Sequence, residues 1–314
     1  MRIGIVVDSA CDLPLDYLQR NGITILPITV RIGGATFADH RDEEATLEFL
    51  DAHVAERGAE AETVPYGAEQ IKALFLERLV AEYDYVFCLT IARTRSPIFE
   101  NAQQASFAIL NDYKTPRLAA GHASPFALRI VDTQNIFAAQ GVPAAEAVRL
   151  RDAGENPVRI RSRLEEVAAR TQGYMIPRDL YYLRARARTK GDRSVGLVSA
   201  ALGSALDIKP VLHCNQGETG PVAKIRGFEP AVEKLFDFTV QRIRAGLLTP
   251  TLCLSYGGAL DGMRALPGYA RLRAACAEHG VEMLESVMSL TGMVNVGKGA
   301  LVVGFAAEDA RFVA

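Results

Sequence analysis

Phe87-Cys88-Leu89-Thr90-Ile91-Ala92-Arg93-Thr94-Arg95-Ser96-Pro97-Ile98-Phe99-Glu100-Asn101-Ala102 runs from an apolar stretch through a polar loop into a helix start. Tyr85–Thr90 is short, aromatic and β-branched, as a buried central strand requires. Ser96 suits an N-cap, Pro97 the first helical position, and Glu100 the acid of a capping box. The spacing places Arg93 and Arg95 where a parallel strand ends and a helix begins. Open α/β sheets bind ligands at that edge. The same spacing also suits a solvated basic turn.

Outward from this stretch, strands and helices alternate over the first 170 residues. Strands are predicted at Ile3–Val7, Ile23–Ile28, Tyr85–Thr90 and Leu128–Val131, and helices at Leu13–Arg20, Glu43–Arg57, Glu69–Tyr83, Pro97–Asp112, Pro143–Ala153 and Pro157–Arg170. Alternation of this kind predicts a parallel sheet with helices on both faces. Beyond Thr171 the order loosens. Strands are predicted at Gly173–Ile176, Thr251–Ser255, Val281–Leu284 and Ala300–Phe305, with helices at Glu229–Arg244 and Asp261–His279. The expected organisation is therefore an N-terminal α/β domain over residues 1–170 and a C-terminal α+β domain over 171–314, a division that suits the chain's 314 residues.

Composition narrows the function classes. The apolar share of 49% supports real cores. A formal net charge of −2 gives no reason to expect nucleic acid or an anionic membrane as partner. No stretch approaches the roughly 20 apolar residues of a membrane span. Five scattered cysteines without a CxxC pair fit a reducing, cytoplasmic setting. Cys276 with His279, and His213 with Cys214, lack a second pair of ligands, so no metal site is expected.

Three constellations bear on chemistry. Gly292-Met293-Val294-Asn295-Val296-Gly297-Lys298-Gly299 nearly spells a phosphate-binding loop, but Gly299 stands where Ser or Thr is needed, and a strand follows instead of a helix. A glycine loop offering backbone N–H groups to a small anion is the reading that survives. Asp8-Ser9 ends the first strand without a nucleophile elbow or a placed His, which favours a capping turn over a hydrolase site. Arg184, Arg186, Arg188, Lys190 and Arg193 crowd one stretch without interleaved aromatics, which fits an acidic partner or solvated charge as well as nucleic acid.

Several stretches, in one order, resemble the DegV family of bacterial fatty-acid-binding proteins, the FakB type. These are Ile5-Val6-Val7-Asp8-Ser9-Ala10-Cys11-Asp12-Leu13-Pro14, Thr63-Val64-Pro65, Ile130-Val131-Asp132-Thr133-Gln134-Asn135 with Gly141, Lys190-Gly191-Asp192-Arg193, Leu202–Leu212, Val222–Gly227, and Gly297-Lys298-Gly299-Ala300. The resemblance implies a two-domain DegV-like fold that holds one long-chain fatty acid between its domains. It also implies that the chain is no enzyme alone and needs no cofactor. The carboxylate would be presented to a separate dihydroxyacetone-kinase-like fatty-acid kinase, whose acyl phosphate feeds phospholipid synthesis.

The departures from the family pattern fall at the head group. Ala92-Arg93 replaces a Ser-Ser pair, Asn295 replaces a His, and Gly191-Asp192-Arg193 replaces Gly-Gly-Arg. A buried carboxylate must be paired and hydrogen-bonded, or it protonates. Arg93 would supply the charge-assisted pair, Thr63 and Asn295 neutral donors, and Ala92 the adjoining wall, with Asp8, Ser9, Arg193 and Gly297 as secondary positions. Arg93→Ala is then expected to weaken binding by more than about tenfold. Two alternatives remain: a DegV-fold binder of another small anionic or lipid-like ligand, and an acyl- or phosphoryl-transfer enzyme.

Overall fold

The computed structural model describes residues 1–32, 34–51, 61–180, 207–308 and 311–312. Strand β1 (Ile3–Asp8) is buried along its whole length and pairs in parallel with β2 (Thr24–Leu26) and β6 (Tyr85–Thr90); β7 (Ala127–Asp132) completes a parallel sheet of order β2-β1-β6-β7. The predicted strand over Ile23–Ile28 is divided at Pro27. Proline brings no N–H to a ladder, and after it the chain leaves for a second, antiparallel sheet: β3 (Ile28–Ile32) between β4 (Ala35–Asp39) and β5 (Glu62–Pro65). Ser9 seals the break, donating its N–H to Leu26 O and accepting the Ile28 N–H on Oγ, both at 3.0 Å.

Helix α1 (Leu15–Arg20) follows β1, and α2 (Glu43–Asp51) follows β4. Helix α3 (Ala68–Leu74) continues through a π-helical turn, Phe75–Leu79, to Glu82. Helix α4 (Ile98–Ala108) starts one residue later than its capping signals predict, with Pro97 in the N-cap position and no capping box, while Ser96 Oγ accepts the Ile98 N–H at 3.3 Å. Between α4 and β7 lies a further short helix, α5 (Lys114–Ala119). There the Arg117 side chain is 1% exposed and reaches Val80 O, Tyr83 O, Ser124 O and the Asp84 carboxylate.

Beyond α6 (Ala138–Asp152) and α7 (Pro157–Arg170), β8 (Thr171–Ile176) opens a mixed six-stranded sheet. Its other members are β9 (Ile208–Asn215), β10 (Glu218–Arg226), β11 (Thr251–Tyr256), β12 (Glu282–Val287) and β13 (Leu301–Ala306), in the order β10-β9-β8-β13-β11-β12. Helix α8 (Phe228–Ala245) packs on it with α10 (Tyr269–Glu278); α9 (Leu260–Arg264) is separated from α10 at Pro267-Gly268, where one helix was predicted.

Helix α6 lies between the two large sheets. Every residue from Ala138 to Val148 is buried, five more at the N-terminal end than the predicted start at Pro143 allows. Its small side chains permit the approach on both sides. Gly304 of β13 and Gly173 of β8 are register partners, and both face Ala139. A Cβ on Gly304 would lie 2.4 Å from Ala139 Cα, and one on Gly173 would lie 2.9 Å from Ala139 Cβ. Gly304→Ala must push helix from sheet, with an expected loss of about 1–3 kcal/mol. A denaturant titration with an unchanged m value checks this. Unaltered stability would mean that α6 does not seat against β13 in this way.

Candidate functional site

The parallel sheet presents its carboxyl-end edge at Asp8, Thr90 and Asp132, just past the Val7–Leu89–Val131 register. Asp8 is fully buried. Its Oδ1 accepts the Ala10 N–H at 3.0 Å and its Oδ2 the Ile91 N–H at 2.6 Å. The next donor, Ala92 N–H, reaches Asn135 O at 2.9 Å, and Arg93 N–H reaches Asp132 Oδ1 at 3.3 Å. Three consecutive backbone donors of the β6–α4 loop are thus directed into the protein. Burial raises Asp132 above the usual carboxylate range, opposed by the N–H groups of Gln134 and Arg93 and by the Arg93 charge.

The facing loop after β7 is strained. Gln134 and Phe137 adopt φ of +56° and +52° on either side of Asn135, a region that costs non-glycine residues free energy and gathers at functional loops. The β9–β10 turn docks on both loops. Thr94 Oγ1 donates to Gly217 O at 2.7 Å, and Gly217 N–H donates to Gln134 O at 2.7 Å. On the other side, Asn101 Nδ2 donates to Tyr66 O at 2.9 Å, which ties α4 to the segment just after β5. Thr63 lies on β5 opposite Val30.

Residues 292–299, read as a glycine loop, are largely helical: α11 (Leu290–Val296) is N-capped by Ser289 Oγ, which accepts the Gly292 N–H at 3.0 Å. The N–H groups of Gly297 and Gly299 donate to Met293 O and Gly257 O and face no open anion site. Asn295 is partly buried on α11, with Nδ2 donating to Thr291 O at 2.6 Å. A buried network absent from the sequence reading fixes this helix against the N-terminal half. Ser289 N–H donates to Asp12 Oδ1 at 2.9 Å and Thr291 N–H to Asp39 Oδ2 at 2.8 Å. The Arg41 guanidinium joins Asp12 at 3.2 Å and Val287 O at 3.0 Å.

The structure thus brings Ala92, Asp8 and Ser9 into one buried loop cluster and puts Asn295 and Thr63 on elements next to it. Arg93 is different: its side chain is 63% exposed, with Nε 3.7 Å from Asp132 Oδ2. Arg193 lies outside the described residues. A separate cleft of about 500 Å³ lies by β12, lined by Arg264, Cys276, Met283 and Glu285 among others. Its Arg264 already pairs with Glu285 at 2.9 Å. Among the described residues, no helix is long and apolar enough to cross a membrane.

These features define an α/β protein of three sheets with polar loops gathered at the carboxyl-end edge of the parallel one. Residues 2–308 match the DegV family, whose model is described as uncharacterised protein, and the chain belongs to that family. It is 70% identical over 314 residues, the whole of both chains, to a DegV domain-containing protein of Xanthomonas axonopodis pv. citri. Its fold is similar to that of DegV, a fatty acid binding protein from Bacillus subtilis: TM-score 0.76, 20% identity, 98% of this chain and 100% of that one. The Streptococcus pneumoniae Fatty Acid Kinase (Fak) B3 protein loaded with linoleic acid is similar at TM-score 0.72 and 15% identity, over 98% and 100% of the two chains. The family and the mixed α/β fold read from the sequence are those found.

Proposed function

We propose that this protein binds one long-chain fatty acid between an N-terminal domain, residues 1–170, and a C-terminal domain, 171–314. It then presents the carboxylate to a separate fatty-acid kinase for acyl-phosphate formation. The observation that carries the reading is the similarity in fold, over nearly the whole chain, to proteins described as fatty acid binding. The kinase step draws its support from the likeness to a Fak B3 protein. An acyl chain gains about 0.8 kcal/mol per buried CH₂, so a tail of roughly sixteen carbons supplies ample driving force.

The carboxylate end is assigned to Thr63, Arg93 and Asn295 beside Ala92. With the backbone donors of Ile91, Ala92 and Arg93 already engaged, recognition must come from side chains. Arg93 is solvated and half-satisfied by Asp132, so its contribution is screened. Arg93→Ala is accordingly expected to weaken fatty-acid binding by less than about tenfold, a smaller effect than the sequence alone suggests. Titration of both proteins with a fluorescent fatty acid checks this, and identical affinities would remove Arg93 from the site.

Native mass spectrometry of the freshly purified chain, followed by lipid extraction, tests the whole reading. A co-purified species at fatty-acid mass is the expected result. An empty protein that also refuses added palmitate and oleate would overturn it and favour a different small anionic ligand. That second reading has one specific support: Ala92 offers no hydroxyl where the family pattern has serine.

A further inference from the structure

Strand β12 is the outermost member of the six-stranded sheet and pairs on one side only, in parallel with β11. The Glu282 N–H donates to Pro250 O and the Met288 N–H to Tyr256 O, both at 2.8 Å. Backbone groups alternate along a strand, so Leu284 and Ser286 also face β11, whereas Met283, Glu285 and Val287 face the open edge. At Val287 that edge is closed, because its carbonyl accepts from Arg41 at 3.0 Å. Among the described residues, the N–H and C=O groups of Met283 and Glu285 have no such partner.

The side chains of these same two residues line the cleft of about 500 Å³ beside β12, which α10 walls with Arg273 and Cys276. Met283 and Cys276 make it partly apolar; burial pushes the Cys276 thiol up to about 12, so it stays neutral. The charges in the cleft do not balance. Glu285 accepts from the Tyr269 hydroxyl and pairs with Arg264 at 2.9 Å. Arg273 is exposed and, among the described residues, meets no carboxylate. Its neighbours three and four positions away on α10 are Tyr269, Ala270, Cys276 and Ala277, none of them acidic. Charge on an open edge commonly keeps other chains off. Here both carboxylates of β12 are answered by arginine, Glu282 by Arg20 at 3.5 Å and Glu285 by Arg264. Arg273 is the surplus, and it favours an acidic chain over a basic one.

We propose that the β12 edge is a docking site for an extended acidic segment of a partner protein: the segment adds a strand at Met283 and Glu285, and one of its carboxylates pairs with Arg273. In strand addition the main-chain bonds give affinity, and pockets for alternate side chains give specificity. The cleft is that pocket, and it takes one acidic and one apolar side chain of the added strand. Only two residues present their N–H and C=O groups outward before Arg41 closes the edge, so the contact is short and readily exchanged. It uses none of the residues assigned to the fatty-acid carboxylate and stands or falls apart from that reading.

The probe is a capped, dye-labelled peptide of alternating Glu and Val, titrated against the full chain by fluorescence polarisation, with amide exchange followed residue by residue. Saturable binding with a Kd below about 1 mM is expected, together with about tenfold protection gained at the Met283 and Glu285 amides. Arg273→Ala should weaken binding about threefold to fivefold, and Arg273→Lys should keep most of it. A peptide with Lys in place of Glu should bind more weakly still. N-methylation separates strand pairing from plain attraction. Only one alternate set of amides in an added strand faces β12, so methylating that set should abolish binding and methylating the other should not. No binding overturns the proposal, and so does binding that leaves both amides unprotected. Equal loss from the two methylated sets, or unchanged affinity in Arg273→Ala, overturns it as well. Protection of these amides that rises with protein concentration, without peptide, would assign the edge to a second copy of the chain and overturn the acidic partner.

Discussion

Replacing Arg41 with alanine is expected to lower the unfolding free energy by about 3–5 kcal/mol, the usual cost of leaving a buried charge without its partner. The guanidinium is 2% exposed and Asp12 is fully buried, 3.2 Å away. The same side chain also donates to Leu13 O at 3.2 Å and Val287 O at 3.0 Å, joining the turn after β1 to the segment before α11. Burial raises Asp12, and the Arg41 charge is the largest of the opposing effects. Without it the pKa rises further, so the deficit of the variant should be largest at neutral and alkaline pH and shrink as acid protonates Asp12. Urea titrations at two pH values measure both the loss and its direction. A loss that grew in acid would show that Asp12 is not the group left uncompensated. The double change Arg41→Met with Asp12→Leu should recover much of the stability, because a buried pair replaced by apolar volume is often neutral. It should not recover ligand binding if the network's task is to seat α11 and Asn295.

That network also marks where the sequence stops being legible. The β6–α4 connection could be read because its signals are local: a β-branched run, then Ser96, Pro97 and Glu100 within five residues. The links from Arg41, Asp12 and Asp39 to residues 287–291 span 246 to 277 positions, and no short-range pattern encodes a partner at that distance. Pro143 misled for a related reason. Proline favours a first helical turn, but packing between two sheets extends α6 back to Ala138 and encloses the proline. Over residues 292–299 three glycines suggested a loop, while the Ser289 cap and burial made residues 290–296 a helix. Asp8 and Ser9 were singled out from a DegV-like motif and Ala92 from a departure from it, but the bonds they make, to Ile91 N–H, Ile28 N–H and Asn135 O, join segments that only the fold brings together.

Saturating the protein with a fitting fatty acid is expected to stabilise it by about 4 kcal/mol when free ligand stands at roughly a thousand times its Kd. A series of saturated acids dissects that gain. Each added CH₂ that enters the protein should tighten binding about fourfold, equivalent to about 0.8 kcal/mol, until the tail reaches the end of the space available. Beyond that length affinity should level off or fall, and the break gives the reach of the cavity in carbons. Matched alcohols carry the same tail without the charge. If Arg93, Thr63 and Asn295 hold the head group, the acid should exceed the alcohol by a constant factor at every length, and that factor should shrink in Arg93→Ala. A series that gains with length but shows no preference for acid would keep a lipid in the protein and remove its carboxylate from these three residues. Arg93, 63% exposed against Asp132, would then belong to the outer surface that a partner protein meets. No gain with length would remove the lipid itself, because a buried alkyl tail cannot lengthen without transferring more apolar surface out of water.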